Sequence, residues 1–89
     1  MQKIVTTIRR RELILIAKGR QKFESRNITP YWTARLKNIK PPFILILING
    51  RSWKVPRISC LICKITICHG LYRMHIKRVF NIENCKEIL

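Results

Sequence analysis

Gly19 divides the first third of the chain between two incompatible periodicities. Before it, residues 10–18 carry apolar side chains at helical spacing, with Leu13, Ile16 and Ala17 on one face and Ile14 beside them. After it, residues 21–26 alternate as a strand does, with Gln21, Phe23 and Ser25 on one side and Lys22, Glu24 and Arg26 on the other. The backbone has to stop a helix and start a strand within a few residues. A residue without a Cβ takes the positive φ of a helix end at no steric cost. Glu24, in the second pattern, is one of two acidic residues in the first 82 positions. A carboxylate surrounded by cations is either a selected ion-pair partner or part of a site.

The rest of the chain reads mostly as strands. Residues 3–8 are β-branched and extended. Asn27 to Pro30 is turn chemistry, and Pro30 then opens one or two helical turns ending near Leu36. Trp32 and Leu36, at i and i+4, are expected in the core. Pro41 and Pro42 end a loop, and the continuous apolar run Phe43–Ile48 reads as a strand buried on both faces. Asn49-Gly50 signals a turn between strands, and Trp53 to Pro56 reads as a reopened extended segment. Residues 59–69 form the longest strand candidate, with Leu61, Cys63, Ile65 and Ile67 on one face and Cys60, Ile62, Lys64, Thr66 and Cys68 on the other. Gly70 ends it, residues 72–82 give a last strand, and a short tail or helical turn follows. The expected fold is mainly β with short helices (α+β): a single domain, residues 1–89, built as a small curled barrel of five or six strands with a helix after the first.

Charge narrows the partners. Nineteen Lys and Arg against four Asp and Glu give a formal net charge of +15. Such a chain attracts polyanions through counterion release, so nucleic acid is the expected class of partner. An anionic membrane surface would call for cations gathered on one amphipathic helix, and here they are spread along the whole sequence. The longest apolar runs are far short of the roughly 20 residues that span a bilayer. Arg9, Arg10, Arg11 and Glu12 interrupt the apolar residues too early for a secretory signal, so a reducing, cytoplasmic setting with free thiols is expected. Arginines at a helix start oppose the macrodipole, which suggests either phosphate contact or mere tolerance in a basic chain.

The residues Gly19-Arg20-Gln21-Lys22-Phe23-Glu24-Ser25-Arg26, preceded by a strand and a short helix, resemble the signature of the ASCH domain, a member of the PUA-like superfamily. Gly19, Glu24 and Arg26 fall in register with that family's motif; Gln21 stands where its lysine is usual, and Lys22 is displaced by one. Pro30-Tyr31-Trp32, Arg35-Leu36 and the later 43–50 segment also look like the family. The resemblance implies a PUA-like β-barrel whose cleft, between the motif and the neighbouring helix, binds RNA or nucleotides. Some bacterial members are amidohydrolases acting on acetylated cytidine, and some are ribonucleases. The amidohydrolases use a lysine at the position of Gln21 and a threonine at that of Glu24. A glutamine serves neither as general base nor as nucleophile, so that activity is not carried over.

On these grounds the expected function is an RNA- or nucleotide-binding module, with hydrolysis of RNA or a modified nucleoside in the same cleft as the alternative. A basic component held inside a larger ribonucleoprotein is a further reading. Arg9, Arg10, Arg20, Lys22, Arg26 and Arg35 are the expected phosphate contacts. Glu24 would orient Arg26 or accept from a base amino group, Tyr31 would stack on a base, and Asn49, Gly50 and Arg51 would form the opposite rim. No cofactor is expected. Cys60-x-x-Cys63 with Cys68, His69 and His75 invites a zinc reading, but on a strand positions 60 and 63 face opposite sides. Cys60 and Cys68, on one face, would be ~26 Å apart at ~3.3 Å per residue. Structural thiols are the favoured reading, and neither histidine has a nucleophile beside it in sequence.

Overall fold

A computed structural model describes residues 1–52 and 54–89. Five strands and two helices follow one another: β1 (Lys3–Thr7), α1 (Arg10–Ala17), β2 (Phe23–Asn27), α2 (Pro30–Lys37), β3 (Phe43–Ile48), β4 (Arg57–Cys68) and β5 (Leu71–Glu83). The strands form one sheet in the order β1-β3-β4-β5-β2, curled into a half-barrel. β1 pairs parallel to β3, and every other pairing is antiparallel. The barrel expected from sequence is therefore open, with β1 and β2 as its two edges.

Both helices fill the inside of the curl. Leu13 and Ile16 of α1, and Trp32 and Leu36 of α2, are buried with Phe43, Leu45 and Leu47 of β3, Ile58, Cys60 and Ile62 of β4, and Met74 of β5. α1 ends as its sequence requires. Gly19 takes φ +72°, its N–H donates to the Ile16 carbonyl at 3.0 Å, and the Arg20 N–H donates to the Leu15 carbonyl at 2.9 Å. These are the two bonds of a glycine-terminated helix end, and they turn the chain back along α1 into β2. α2 begins with Pro30 in its first turn and the Thr29 hydroxyl accepting from the Trp32 N–H at 3.2 Å, while Arg35 and Lys37 sit in the last turn, where the helix dipole favours cations.

The structure corrects several expectations. β3 is fully buried on one face only: Phe43, Leu45 and Leu47 are inside, and Ile44, Ile46 and Ile48 are half-exposed, because both helices pack on the inner side. Asn49-Gly50 does not make a tight hairpin: β3 and β4 are separated by eight residues, and the Asn49 N–H donates to the Pro56 carbonyl at 2.9 Å. Trp53 of the expected extended segment lies outside the described residues, and 54–56 contain no strand.

The alternation expected along β4 also fails part-way. Ile62 pairs with Ile76 and Lys64 with His75, leaving Cys63 as an extra residue; Leu61 pairs with Arg78, leaving Lys77 extra on β5. Each bulge reverses which side chains point inward. Ile65, not Lys64, therefore faces the core beside Met74. Near the far end of β5, Asn81 takes φ +49° where the register shifts again. At the hairpin tip His69 and Gly70 both have positive φ, +50° and +75°, as a two-residue turn between twisted strands demands.

Candidate nucleic-acid interface

The open side of the half-barrel is closed by side chains instead of a strand. Arg26 projects from β2 towards β1. Its guanidinium donates to the Thr7 carbonyl at 2.8 Å, the Thr6 hydroxyl at 3.4 Å and the Glu24 carboxylate at 3.4 Å, and stacks 5.2 Å above the Trp32 ring. Arg35, from α2, repeats the device one step along. It donates to the Val5 carbonyl at 2.7 Å and the Tyr31 hydroxyl at 3.2 Å, with its guanidinium 5.0 Å from the Trp32 ring centroid. Val5 and Thr7 are alternate residues on the outer edge of β1. Two arginines, stacked on one tryptophan, thus satisfy acceptors that a sixth strand would otherwise have met.

Glu24 is the anchor of this seam. It is 2% exposed and paired opposite the buried Met74. Its carboxylate accepts from the Ser25 N–H at 2.9 Å as well as from Arg26. Burial raises its pKa above the ordinary glutamate value; the Arg26 charge opposes that rise and the Glu12 charge adds to it. An acid whose pKa is higher in the folded chain contributes most stability while protonated. That contribution is lost as the pH climbs through the raised value. Thermal melts of the native chain and of Glu24→Gln across that range should show the native chain losing stability relative to the variant as pH rises from about 4. Parallel pH curves would mean that Glu24 titrates alike in both states.

Beside the seam lies a cleft of about 700 Å³ lined by Thr7, Ile8, Arg9, Glu12, Ser25, Arg26, Asn27 and Asn49. Its walls are the β1–α1 junction, the end of β2 and the end of β3. Asn49 is held from both sides: its amide donates to the Ile8 carbonyl at 3.0 Å, and its carbonyl oxygen accepts from Arg10 at 3.0 Å. Arg9, the exposed residue before α1, and Arg26 bring cations to the cleft, Ser25 and Asn27 bring neutral polar groups, and Glu12 brings a carboxylate.

The anticipated residues divide into three groups. Arg9, Arg26 and Asn49 meet in the cleft, with Arg10 bound behind Asn49. Arg35 is taken up in the seam, and Tyr31, 63% exposed, lies beside it on α2 with its ring centroid 5.4 Å from the Arg35 guanidinium. Lys22 does not reach the cleft. It lines a different hollow past the end of α1, while Arg20 and Arg51 are exposed and line neither the cleft nor that hollow. Glu24 is sealed behind Arg26, so it orients that arginine and has no face left for a base.

Sequence reasoning missed Glu12, Thr7, Ser25 and Asn27 as cleft residues. Only the Asn27 turn signal pointed near them. Among the cysteines, Cys60 is buried and its thiol pKa is pushed up to about 12, chiefly by desolvation, while Cys63 is exposed. His75 bonds the Thr66 hydroxyl through Nε2 at 2.8 Å. Among the described residues no group of His, Cys, Asp and Glu has the arrangement of a metal site. No helix among them is long and apolar enough to cross a membrane. No family model, curated protein or solved structure matches the chain.

Proposed function

We propose that this chain is an RNA- or nucleotide-binding module of the PUA-like type, and that its ligand enters the cleft between Arg9, Asn27 and Asn49. The observation that carries the reading is the cleft itself. It is a polar concavity large enough for a nucleotide, with the guanidinium groups of Arg9 and Arg26 at its wall, in a chain of net charge +15. Arg9 would contact phosphate. Asn27 and Ser25 offer donors and acceptors suited to a base or ribose edge, and the doubly held Asn49 is a rigid part of the wall. Arg26 faces the ligand with whatever donor capacity the seam leaves it.

Arg9→Ala tests this cleanly, because Arg9 is exposed and its side chain makes no hydrogen bond that supports the fold among the described residues. Fluorescence anisotropy with labelled single-stranded RNA at fixed salt should show weaker binding than the native chain. The log–log salt slope should fall by about 0.7, the value of one phosphate neutralised on a single strand. Asn27→Ala should weaken binding without changing the slope. Unchanged affinity in both variants would remove the ligand from the cleft. For the hydrolytic alternative, Glu12 is the acid–base side chain the cleft offers. Incubation of the purified chain with labelled RNA and with modified cytidines, with and without chelator, distinguishes turnover from binding.

A further inference from the structure

A second hollow, of about 280 Å³, lies at the opposite end of α1 from the cleft. Lys18, Lys22, Lys77 and Arg78 surround it, Gly19 and Gln21 complete one rim, and Ile16, Ala17, Ile76 and Val79 form an apolar floor. All four cationic residues are exposed, and no carboxylate stands among the lining residues. The cleft, by contrast, balances Arg9 and Arg26 against Glu12.

Three separate local structures bring these cations together. The glycine end of α1 turns the chain so that Lys18 and Lys22 flank one bend, and the Lys22 ammonium sits where a Cβ at position 19 would lie only 3.6 Å away. On β5, the bulge that leaves Lys77 unpaired puts it next to Arg78 at the rim instead of on the opposite face of the sheet. Arg78 lies 5.2 Å from the Phe80 ring, which holds its stem against the sheet. Four cations that repel one another, gathered over an apolar floor, make a site whose charge an anion would neutralise.

We infer that this hollow is a second phosphate-binding site, and that it takes a phosphate of the same single strand of nucleic acid whose neighbouring nucleotide occupies the cleft. The inference rests on the reading of the cleft given above, and narrows it from a nucleotide or RNA to a polynucleotide. α1 and the 19–27 segment both run from one depression to the other: Glu12 of α1 and Ser25 border the cleft, and Ile16 of α1 and Lys22 border the hollow. The facing rims at Glu12 and Ile16 are roughly 6 Å apart along the helix, but Arg9 and Lys18 flank the two ends of α1, whose eight residues at 1.5 Å each span roughly 12 Å, too far for one phosphate group to serve the cations of both. The edge of β2 that runs between them pairs with no strand.

The test compares Lys22→Ala/Lys77→Ala with Lys37→Ala/Lys40→Ala, a control pair of equal charge outside both depressions, after circular dichroism confirms that both fold. The probes are a labelled short oligouridylate and a labelled mononucleotide. The hollow variant should reduce the salt slope for the oligonucleotide by about 0.7 per phosphate contact beyond the control, and leave mononucleotide binding at the control's level. If the hollow variant tracks the control with both probes while Arg9→Ala still weakens binding, the hollow proposal fails and the cleft reading stands. If the native chain binds neither probe, the cleft reading fails and takes this one with it. If heparin or vesicles rich in phosphatidylserine depend on Lys22 and Lys77 as strongly as RNA does, the hollow is a general anion surface and the inference is overturned.

Discussion

Arg26→Ala should cost about 3 kcal/mol of folding stability, since it removes a buried carboxylate's partner along with the bond to the Thr7 carbonyl. A chain of this size has of the order of 5–10 kcal/mol in total, so the loss is a large fraction of what holds it folded. Urea denaturation at neutral pH measures it. The physical cause can be separated from simple truncation by a second substitution. Once Arg26 is gone, nothing of comparable size offsets the burial of the Glu24 carboxyl, and its charged form becomes costlier still; replacing it by glutamine relieves that. Glu24→Gln/Arg26→Ala should therefore be more stable than Arg26→Ala alone, a non-additivity expected of groups in direct contact. Strict additivity would mean that Arg26 acts only through β1. The same experiment guards the binding assays, because a variant that lowers RNA affinity by unfolding says nothing of the cleft.

The second large effect is expected at Trp32. It is 7% exposed, and the guanidinium groups of Arg26 and Arg35 sit 5.2 and 5.0 Å from its ring centroid. Trp32→Ala should destabilise by about 4 kcal/mol, as removal of a large buried aromatic typically does. Trp32→Phe should recover the part due to apolar volume, but not all of the cation–π attraction, which is strongest over an indole. Amide hydrogen exchange is a finer reading. Losing Trp32 should speed exchange in β1 and β2 more than in the β4–β5 hairpin, because it supports the seam and not the ladders. Uniform acceleration would point to global unfolding alone.

Local chemistry makes much of this legible. Gly19 and the alternating residues after it announce a helix end followed by a strand, and the hydrogen bonds at Gly19 and Arg20 bear that out. Pro30 marks α2, and the apolar run from Phe43 sets β3 to the residue. The reversal along β4 has a local cause. Cys63 and Lys77 are bulge residues, and neither is a glycine or has any other mark that distinguishes it from a paired residue. Once the alternation resets, the face turned to the core changes, as at Ile65. Arg26 reads as a phosphate contact because it closes the Gly19–Arg26 motif in a strongly basic chain. Its neighbours in space are the Thr7 carbonyl and Thr6 hydroxyl of β1, and that follows only from both β1 and β2 being sheet edges, a property of topology that no short window contains. The hollow at Lys18, Lys22, Lys77 and Arg78 joins residues some 55 positions apart and is invisible in sequence for the same reason.

The arginine-capped edge of β1 also bears on how copies of this chain behave towards one another. An exposed strand edge is a template on which a further chain can add, the first step towards fibrous aggregates. Here the outward carbonyls of Val5 and Thr7 are already engaged by Arg35 and Arg26. An incoming strand would have to dislodge both guanidinium groups, and leave Glu24 without its counter-charge, before its first rung could form. The contacts that close the fold thereby also protect this edge against self-templated growth.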